Sequence, residues 1–293
     1  MKKISIVVLT HNRVAELLKS VALALALPER PPVIVVDNAS TDGTAAELKA
    51  RFPQVKLVRV PFNMGAAARN LGVECAETPY VAFSDDDTAW AAGSLRAAAD
   101  LLDLYPRLAV LTARVLVGPE GRLDPVSALM AQSPLPVRGL PGPALLGFLA
   151  GASVFRRKAY LDAGGYEPRF FLGGEETLLA YDLAAAGWQM MYAEGLTVYR
   201  YPSARRDDAR RRRLLARNAL WVAWMRRPLA SALRRTFEVL NEQRSAGALV
   251  DALAGLRWAL RNRHVVPPQV DELCRLLEMQ ALRQRFGGVP RPA

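Results

Sequence analysis

The stretch YVAFSDDDTAW (residues 80–90) runs from an apolar, strand-like segment into three consecutive carboxylates, Asp85, Asp86 and Asp87. Adjacent carboxylates repel, so setting them at the end of a buried strand requires positive charge nearby. Asp85 and Asp87 form a D-x-D pair of hard oxygen ligands, which suits Mg2+ or Mn2+ held jointly with a substrate's phosphates. The plainer alternative is an acidic turn in which Asp87 or Thr88 caps the next helix. Asp37 ends the run VIVVD. There it can accept hydrogen bonds from a ribose or a nucleobase imide, or simply form a turn. Arg69 and Asn70 follow NMGAAA, whose small residues permit close approach and let Arg69 pair with a phosphate; the alternative is a surface arginine on an alanine-rich helix. Glu175 and Glu176 follow FFLGG at a helix start. The helix dipole favours acids there, and one of them is placed to act as general base for a hydroxyl.

The elements that must hold these residues follow from apolar periodicity. KISIVVL reads as a buried strand, RVAELLKSVALALAL as a helix ending before PERPP, VIVVD as a strand, and the segment after NASTDG as a helix closed by Pro53. VKLVRV gives a third strand, residues 66–76 a helix and YVAFS a fourth strand. Such alternation with short loops predicts an α/β fold with a mostly parallel sheet, helices on both faces, and ligands at the carboxyl ends of the strands. RLAVLTARVLV, FLAGASVFRR and MMYAEGLTVYRY read as further strands, residues 118–143 as a Pro- and Gly-rich loop or flap, and GGEETLLAYDLAAAGW as a helix. From residue 204 to about 286 the pattern is helical, with breaks at Pro228, Gly247 and Pro267–Pro268.

In this order the segments ISIVVLTHNR, VVDNASTDGT, NMGAAARNLG, FSDDD and GGYEPRFFLGGEETLLAYDLAAAGW resemble the family 2 glycosyltransferases, inverting enzymes with a GT-A fold, over roughly residues 3–200. The resemblance implies a nucleotide-sugar donor and a Rossmann-like sheet. Thr10, His11 and Asn12 then line the nucleotide-base pocket, Asp37 binds the base, Arg69 belongs to the nucleotide pocket, and Asp85 lies near the ribose. Asp87, with Asp85, holds a divalent cation on the diphosphate, so that cation is the positive charge the aspartates require. Glu176 corresponds to the proposed catalytic base, with Glu175 beside it facing the acceptor. Gly151, Ala152 and Trp188 fall in the vicinity of the sugar and acceptor. Three positions depart from the family pattern. Glu176 and Glu167 stand where aspartate is usual, and Arg200 stands where a metal-binding histidine is common. Arg200 cannot ligate a cation but can contact the diphosphate, which implies weaker metal dependence.

Charge divides the chain of 293 residues sharply: residues 1–203 carry 20 basic and 20 acidic side chains, while residues 204–293 carry 19 arginines against 8 acids. The whole net charge of +11 therefore sits in the last 90 residues. This marks a boundary near Pro202, between a glycosyltransferase-like domain (1–203) and a basic helical region (204–293). It also points to anionic partners. In ARRDDARRRRLLARNALWVAWMRRP, Trp221 and Trp224 share one helical face. They suit packing against the first domain, while some arginines suit an anionic membrane surface; nucleic acid is the weaker alternative. No run is long and apolar enough to span a bilayer, the N-terminal apolar run reads as a strand and not a signal peptide, and Cys75 and Cys274 fit reduced thiols in a cytoplasmic protein. His264, in RNRHVVPP, reads as a turn residue. The acceptor class is a saccharide or a lipid-linked saccharide, by the same resemblance. A sugar-nucleotide nucleotidyltransferase is the nearest enzymatic rival, but LTHNRVAELL lacks the glycines of its phosphate loop. A basic scaffold on the same fold, binding lipid or nucleic acid without catalysis, is the non-enzymatic one.

Overall fold

The computed structural model of the chain describes residues 2–201, 208–241 and 246–286. The expected domain boundary near Pro202 lies outside the described residues. Four strands, β1 (Ile4–Thr10), β2 (Val33–Asp37), β3 (Lys56–Arg59) and β4 (Tyr80–Asp85), lie parallel in the order β3-β2-β1-β4. They are joined by α1 (Val14–Leu25), α2 (Thr44–Arg51) and α3 (Arg69–Glu74). Strands buried on both faces need near-continuous apolar runs, and β1, β2 and β4 have them. Their side chains alternate between two cores: Ile6 and Val8 join Leu17, Leu95 and Val154 on one face, whereas Val7 joins Phe83, Phe155 and Tyr166 on the other.

Beyond β4 the sheet is mixed. It continues through β5 (Thr88–Trp90), α4 (Ser94–Leu104), β6 (Leu108–Val117), β7 (Arg122–Leu123), α5 (Pro125–Ala131), β8 (Ser153–Arg156), α6 (Arg157–Asp162), α7 (Glu175–Ala185) and β9 (Gln189–Arg200). β8 lies antiparallel between β4 and β6, and β9 runs parallel to β6, so the parallel pairing lies in the first four strands and one later pair. Three local expectations change. Asp87 and Thr88 cap no helix; Thr88 opens β5, which pairs with the end of β9, and α4 begins at Ser94 after left-handed Gly93. The segment 118–143 is not all loop, because Asp124 caps α5 through its carboxylate and Pro125 fits the first helical turn. FLAGASVFRR is strand only from Ser153; Ala150–Ala152 form a 3-10 turn.

The C-terminal chain forms α8 (Asp208–Arg226), α9 (Leu229–Asn241), α10 (Ala246–Arg261) and α11 (Pro268–Phe286). These helices share cores with the sheet region. Phe170 and Leu178 cluster with Trp221, Met225, Val239 and Ala259, while Val266, Val270 and Cys274 join the core beneath α7. Trp221 is buried and donates to the Ala252 carbonyl at 3.0 Å, and Trp224 donates to Thr236 at 3.1 Å, so both tryptophans pack. Several arginines are consumed internally. Arg213 holds Asp251 through both nitrogens, Arg226 pairs with Asp182, and Arg227 lies between Asp271 and Glu278. Of these acids only Asp182 lies outside residues 204–293, so the pairs fix individual arginines and leave most of the basic excess unbalanced. Among the described residues no helix is long and apolar enough to cross a membrane.

Candidate functional site

Parallel register brings the carboxyl ends of the strands together: Thr10 lies beside Asp37, Leu9 beside Asp85, and Asp37 beside Arg59. At this edge each aspartate of the triplet meets an arginine. Asp85 pairs with Arg69, a buried residue whose guanidinium also lies 5.6 Å from the Phe83 ring centroid. Asp86 accepts from Arg13 at 2.6 Å and from the Thr10 hydroxyl at 3.0 Å. Asp87 Oδ2 stands 4.0 Å from both Arg13 Nη1 and Arg200 Nε. The repulsion among the aspartates is thus offset by the protein's own arginines and not, as the sequence suggested, by a bound cation alone. Burial nonetheless pushes the Asp86 carboxyl up to about 6, against the opposing pull of Arg13.

Asp37 is fully buried, accepts the Ser40 amide at 2.9 Å, and has Arg59 Nε 3.3 Å from its Oδ2, an oxygen without a hydrogen-bond partner among the described residues. Thr10 is committed to Asp86. His11 and Asn12 are exposed and brace the neighbouring loop: His11 Nδ1 meets the Asn38 carbonyl at 2.7 Å, and Asn12 Oδ1 accepts the Thr41 amide at 2.7 Å. Gly151 abuts Asp85, and a β-carbon on it would fall 2.4 Å from the carboxylate, so any side chain there would displace Asp85; Ala152 beside it is buried.

The second acidic group approaches from α7. Glu175 is buried and Glu176 half-buried. Burial first, and then the charge of Glu176, push Glu175 up to about 8. Glu176 is raised by burial too, while Arg69 and a hydrogen bond from Glu175 favour its ionised form. Both carboxyls are thus held above the ordinary glutamate range, and the hydrogen bond between them lets the pair share a proton. Arg69 feels Asp85 and both glutamates, so it links the strand-tip acids to the α7 acids. The backbone locks the same junction, with Ala66 N donating to the Phe171 carbonyl at 2.7 Å. Glu167 accepts the Arg169 amide at 3.0 Å and caps a short 3-10 turn on the way to α7.

Trp188 does not join this group. It lies at the start of β9, near Arg156, which is paired with Tyr80 at the opposite end of β4. A 12-residue strand separates it from Arg200 at the site, so its placement near the sugar is corrected. His264 Nδ1 meets the Asn262 carbonyl in the connection between α10 and α11, which is a turn role. Arg13, Arg59 and Asp124 were missed by sequence reasoning. Arg13 was legible in LTHNR as a basic residue one position beyond the first-strand turn. Arg59 ends the strand beside Asp37. Asp124 had no sequence signal beyond the D-P cap preceding α5.

The donor set was tested against a divalent cation. Among the described residues no three His, Cys, Asp or Glu side chains converge into a cage. Mg2+ and Mn2+ need only one or two carboxylates when phosphates and water complete the shell, and Asp87 supplies one carboxylate where positive groups already gather. Arg200 Nε is buried without a hydrogen-bond partner among the described residues, and Nη1 lies 4.0 Å from Asp124. The site thus fits a cation shared with a bound diphosphate and does not fit an all-protein metal site.

Comparison with known proteins places the chain in a family and a fold. A sequence model described as glycosyl transferase family 2 matches residues 5–163. An N-acetylglucosaminyl-diphospho-decaprenol L-rhamnosyltransferase of Mycobacterium tuberculosis is 26% identical over 227 residues, spanning 64% of this chain and 73% of that protein. The crystal structure of S. aureus TarS 1-349 in complex with UDP-GlcNAc matches with a TM-score of 0.59 and 20% identity, over 92% of this chain and 83% of that one. The structure of GalNAc-T7 with UDP, GalNAc and Mn2+ matches at 0.64 and 14% identity; it covers 99% of this chain, which spans 58% of that longer one. At these identities the two structures speak for the fold.

Proposed function

From the premise that this chain belongs to glycosyltransferase family 2 and is a nucleotide-sugar-dependent glycosyltransferase, we propose that it inverts the anomeric centre of a UDP- or dTDP-sugar while passing the sugar to an acceptor hydroxyl. The observation that carries the proposal is the junction at Arg69, where arginine-held aspartates at the strand tips meet a glutamate pair that shares a proton.

In the proposed reaction the base lies toward Asp37 and Arg59, whose carboxylate and guanidinium complement the donor N–H and acceptor oxygens of a pyrimidine imide. The diphosphate lies toward Asp87, between Arg13 and Arg200. Glu176 takes the proton from the acceptor hydroxyl. The hydroxyl oxygen forms a bond to the anomeric carbon from the face opposite the leaving group. The bond from that carbon to the diphosphate oxygen breaks, and its electron pair departs with the nucleoside diphosphate. In-line positioning gives inversion in one displacement. A divalent cation held by Asp87 and the phosphate oxygens would supply Lewis-acid charge at the departing group. Arg13 and Arg200 hold fixed positive charge at the same place.

By likeness to the mycobacterial relative, the acceptor we propose is a lipid-linked saccharide of the cell envelope. Two helices carry the apolar surface that such an acceptor favours. α9 exposes Leu229, Leu233, Phe237 and Leu240 along one face, and α10 exposes Val250, Leu253 and Leu260 with Arg257 and Arg261 interleaved. Interleaved arginine and leucine suit the anionic headgroups of the inner membrane face, with the enzyme on the cytoplasmic side. Sedimentation with phosphatidylglycerol vesicles, reversed by salt, supports this placement, and equal retention on neutral phosphatidylcholine vesicles contradicts it.

The transfer itself is tested by a thermal-shift panel of UDP, dTDP, UDP-glucose, UDP-N-acetylglucosamine and dTDP-rhamnose, each with and without Mn2+. Stabilisation by a uridine or thymidine diphosphate together with turnover of its sugar is expected. No shift with any of these nucleotides removes the proposal.

A further inference from the structure

The loop that delivers the glutamates is not self-supporting. Between Glu167 and α7 the backbone turns sharply: Phe171 has φ +63 and ψ −61, and Leu172 N donates to the Phe170 carbonyl at 2.7 Å. This is a γ-turn of the positive-φ type, which is strained for any residue with a side chain. Gly173 and Gly174 follow at φ +82 and +89. In this conformation the carbonyls of Phe170, Leu172 and Gly173 turn toward α8.

All three carbonyls meet one group there. The side-chain amide of Asn218, fully buried on α8, donates to Phe170 O at 2.9 Å, to Leu172 O at 3.2 Å and to Gly173 O. Its orientation is fixed, because Arg217 Nε donates to Asn218 Oδ1 at 2.9 Å and leaves the NH2 facing the loop. Arg217 in turn donates to Phe170 O at 2.9 Å and stacks 4.3 Å from the Trp221 ring centroid. The contact leaves no slack. A β-carbon on Gly174 would lie 2.9 Å from Asn218 Cβ, and one on Gly173 would lie 2.4 Å from Leu215.

We infer that Asn218, oriented by Arg217, is a positioning residue for the reaction: it holds the strained turn at Phe171 and so sets where α7 places Glu175 and Glu176. The inference rests on the proposed role of the α7 glutamates. Converging carbonyls in a buried turn need a donor, and without one their mutual repulsion opens the turn. The helices after residue 208 then belong to the catalytic apparatus and are more than a basic appendage. Displacement of a reacting group by about 1 Å costs on the order of 10²-fold in rate, whereas the strand-tip aspartates are not touched by Asn218.

The test is Asn218→Asp, nearly isosteric but with acceptors where donors are needed, alongside Arg217→Met, which keeps the stem and removes the orienting donor. Two quantities are measured: release of nucleoside diphosphate from the best donor in the sugar-nucleotide panel, and affinity for UDP or dTDP by calorimetry. The expected result is a turnover loss of about 10²-fold for Asn218→Asp and a smaller one for Arg217→Met, with nucleoside diphosphate affinity within about threefold of wild type. Turnover retained within about threefold in Asn218→Asp overturns the inference. Should Asn218→Asp fail to fold, Arg217→Met decides: lost turnover at retained affinity supports the inference, and unchanged turnover overturns it. Arg213→Met, which breaks an exposed pair with Asp251 away from the loop, serves as the control expected to leave turnover unchanged. Glu176→Gln in the same assay separates the two levels. If it is fully active, the reading of the glutamates fails; if it is inactive while both α8 variants are active, only the present inference fails.

Discussion

The aspartates after β4 and the glutamates opening α7 are both clusters of adjacent carboxylates, and although burial raises members of each, the fold partners them differently. Asp85 and Asp86 are each answered by an arginine, and Asp87 has two within 4.0 Å. Glu175 and Glu176 face each other beside the single guanidinium of Arg69, and burial raises both. Charge that is neutralised in place suits holding a phosphate-bearing ligand. A carboxyl pair kept near the point of ionisation suits moving a proton. The two clusters meet at one arginine, so the tasks proposed for them would be separated by electrostatics and not by distance.

This contrast yields measurable differences between the clusters. The largest effect belongs to Glu176→Gln: general-base assistance is worth about 10²–10⁴ in rate, and turnover should fall by that factor. Next comes Arg200. Its buried Nε faces Asp87 and the proposed diphosphate. Arg200→Met should weaken nucleoside diphosphate binding by about 10-fold, the size expected for one charge-assisted contact. It should also make the residual activity more sensitive to EDTA than that of wild type. If EDTA abolishes wild-type turnover and Arg200→His turns over as wild type does, the fixed-charge role of Arg200 is wrong.

Smaller effects come from pH. Because the glutamate pair is raised by burial, the base is protonated in the ordinary carboxylate range. Turnover should therefore rise with pH across an acid limb displaced above 4.5, the ordinary glutamate value. The stability effect has the opposite sign. Glu175 binds its proton more tightly folded than unfolded, so unfolding free energy is highest below the unfolded value of 4.5 and declines as pH rises through about 8. Glu175→Gln should flatten that decline, with a melting temperature above wild type at pH 8–9 and no gain at pH 4. A Glu175→Gln melting curve that tracks wild type at both pH values contradicts the buried-proton assignment.

The two clusters also differ in how much of them sequence could reveal. The D-x-D spacing and the strand before it were plain, because a parallel strand buried on both faces leaves an unbroken apolar run that ends where ligands bind. Glu175 and Glu176 were visible as a helix start, but that position attracts acids in any helix, and only the ordered set of segments gave them meaning. The arginine partners were harder to find. Arg13 sits 73 residues from Asp86 and Arg200 is 113 from Asp87, so no local pattern joins them. Trp188 was misplaced because α7 carries the chain away from the site before β9 brings it back at Arg200. Asn218 was hidden entirely: a lone amide in an arginine-rich helix gains its role only when α8 packs on the turn at Phe171.

The separation of binding from proton transfer is tested by calorimetric titration of UDP and dTDP into Asp87→Asn and Glu176→Gln side by side, in the presence of Mn2+. The expected outcome is weakened binding in Asp87→Asn by about 10-fold or more, with Glu176→Gln matching wild type. Equal losses in both variants, or full retention in both, would contradict the division of labour between the strand tips and α7.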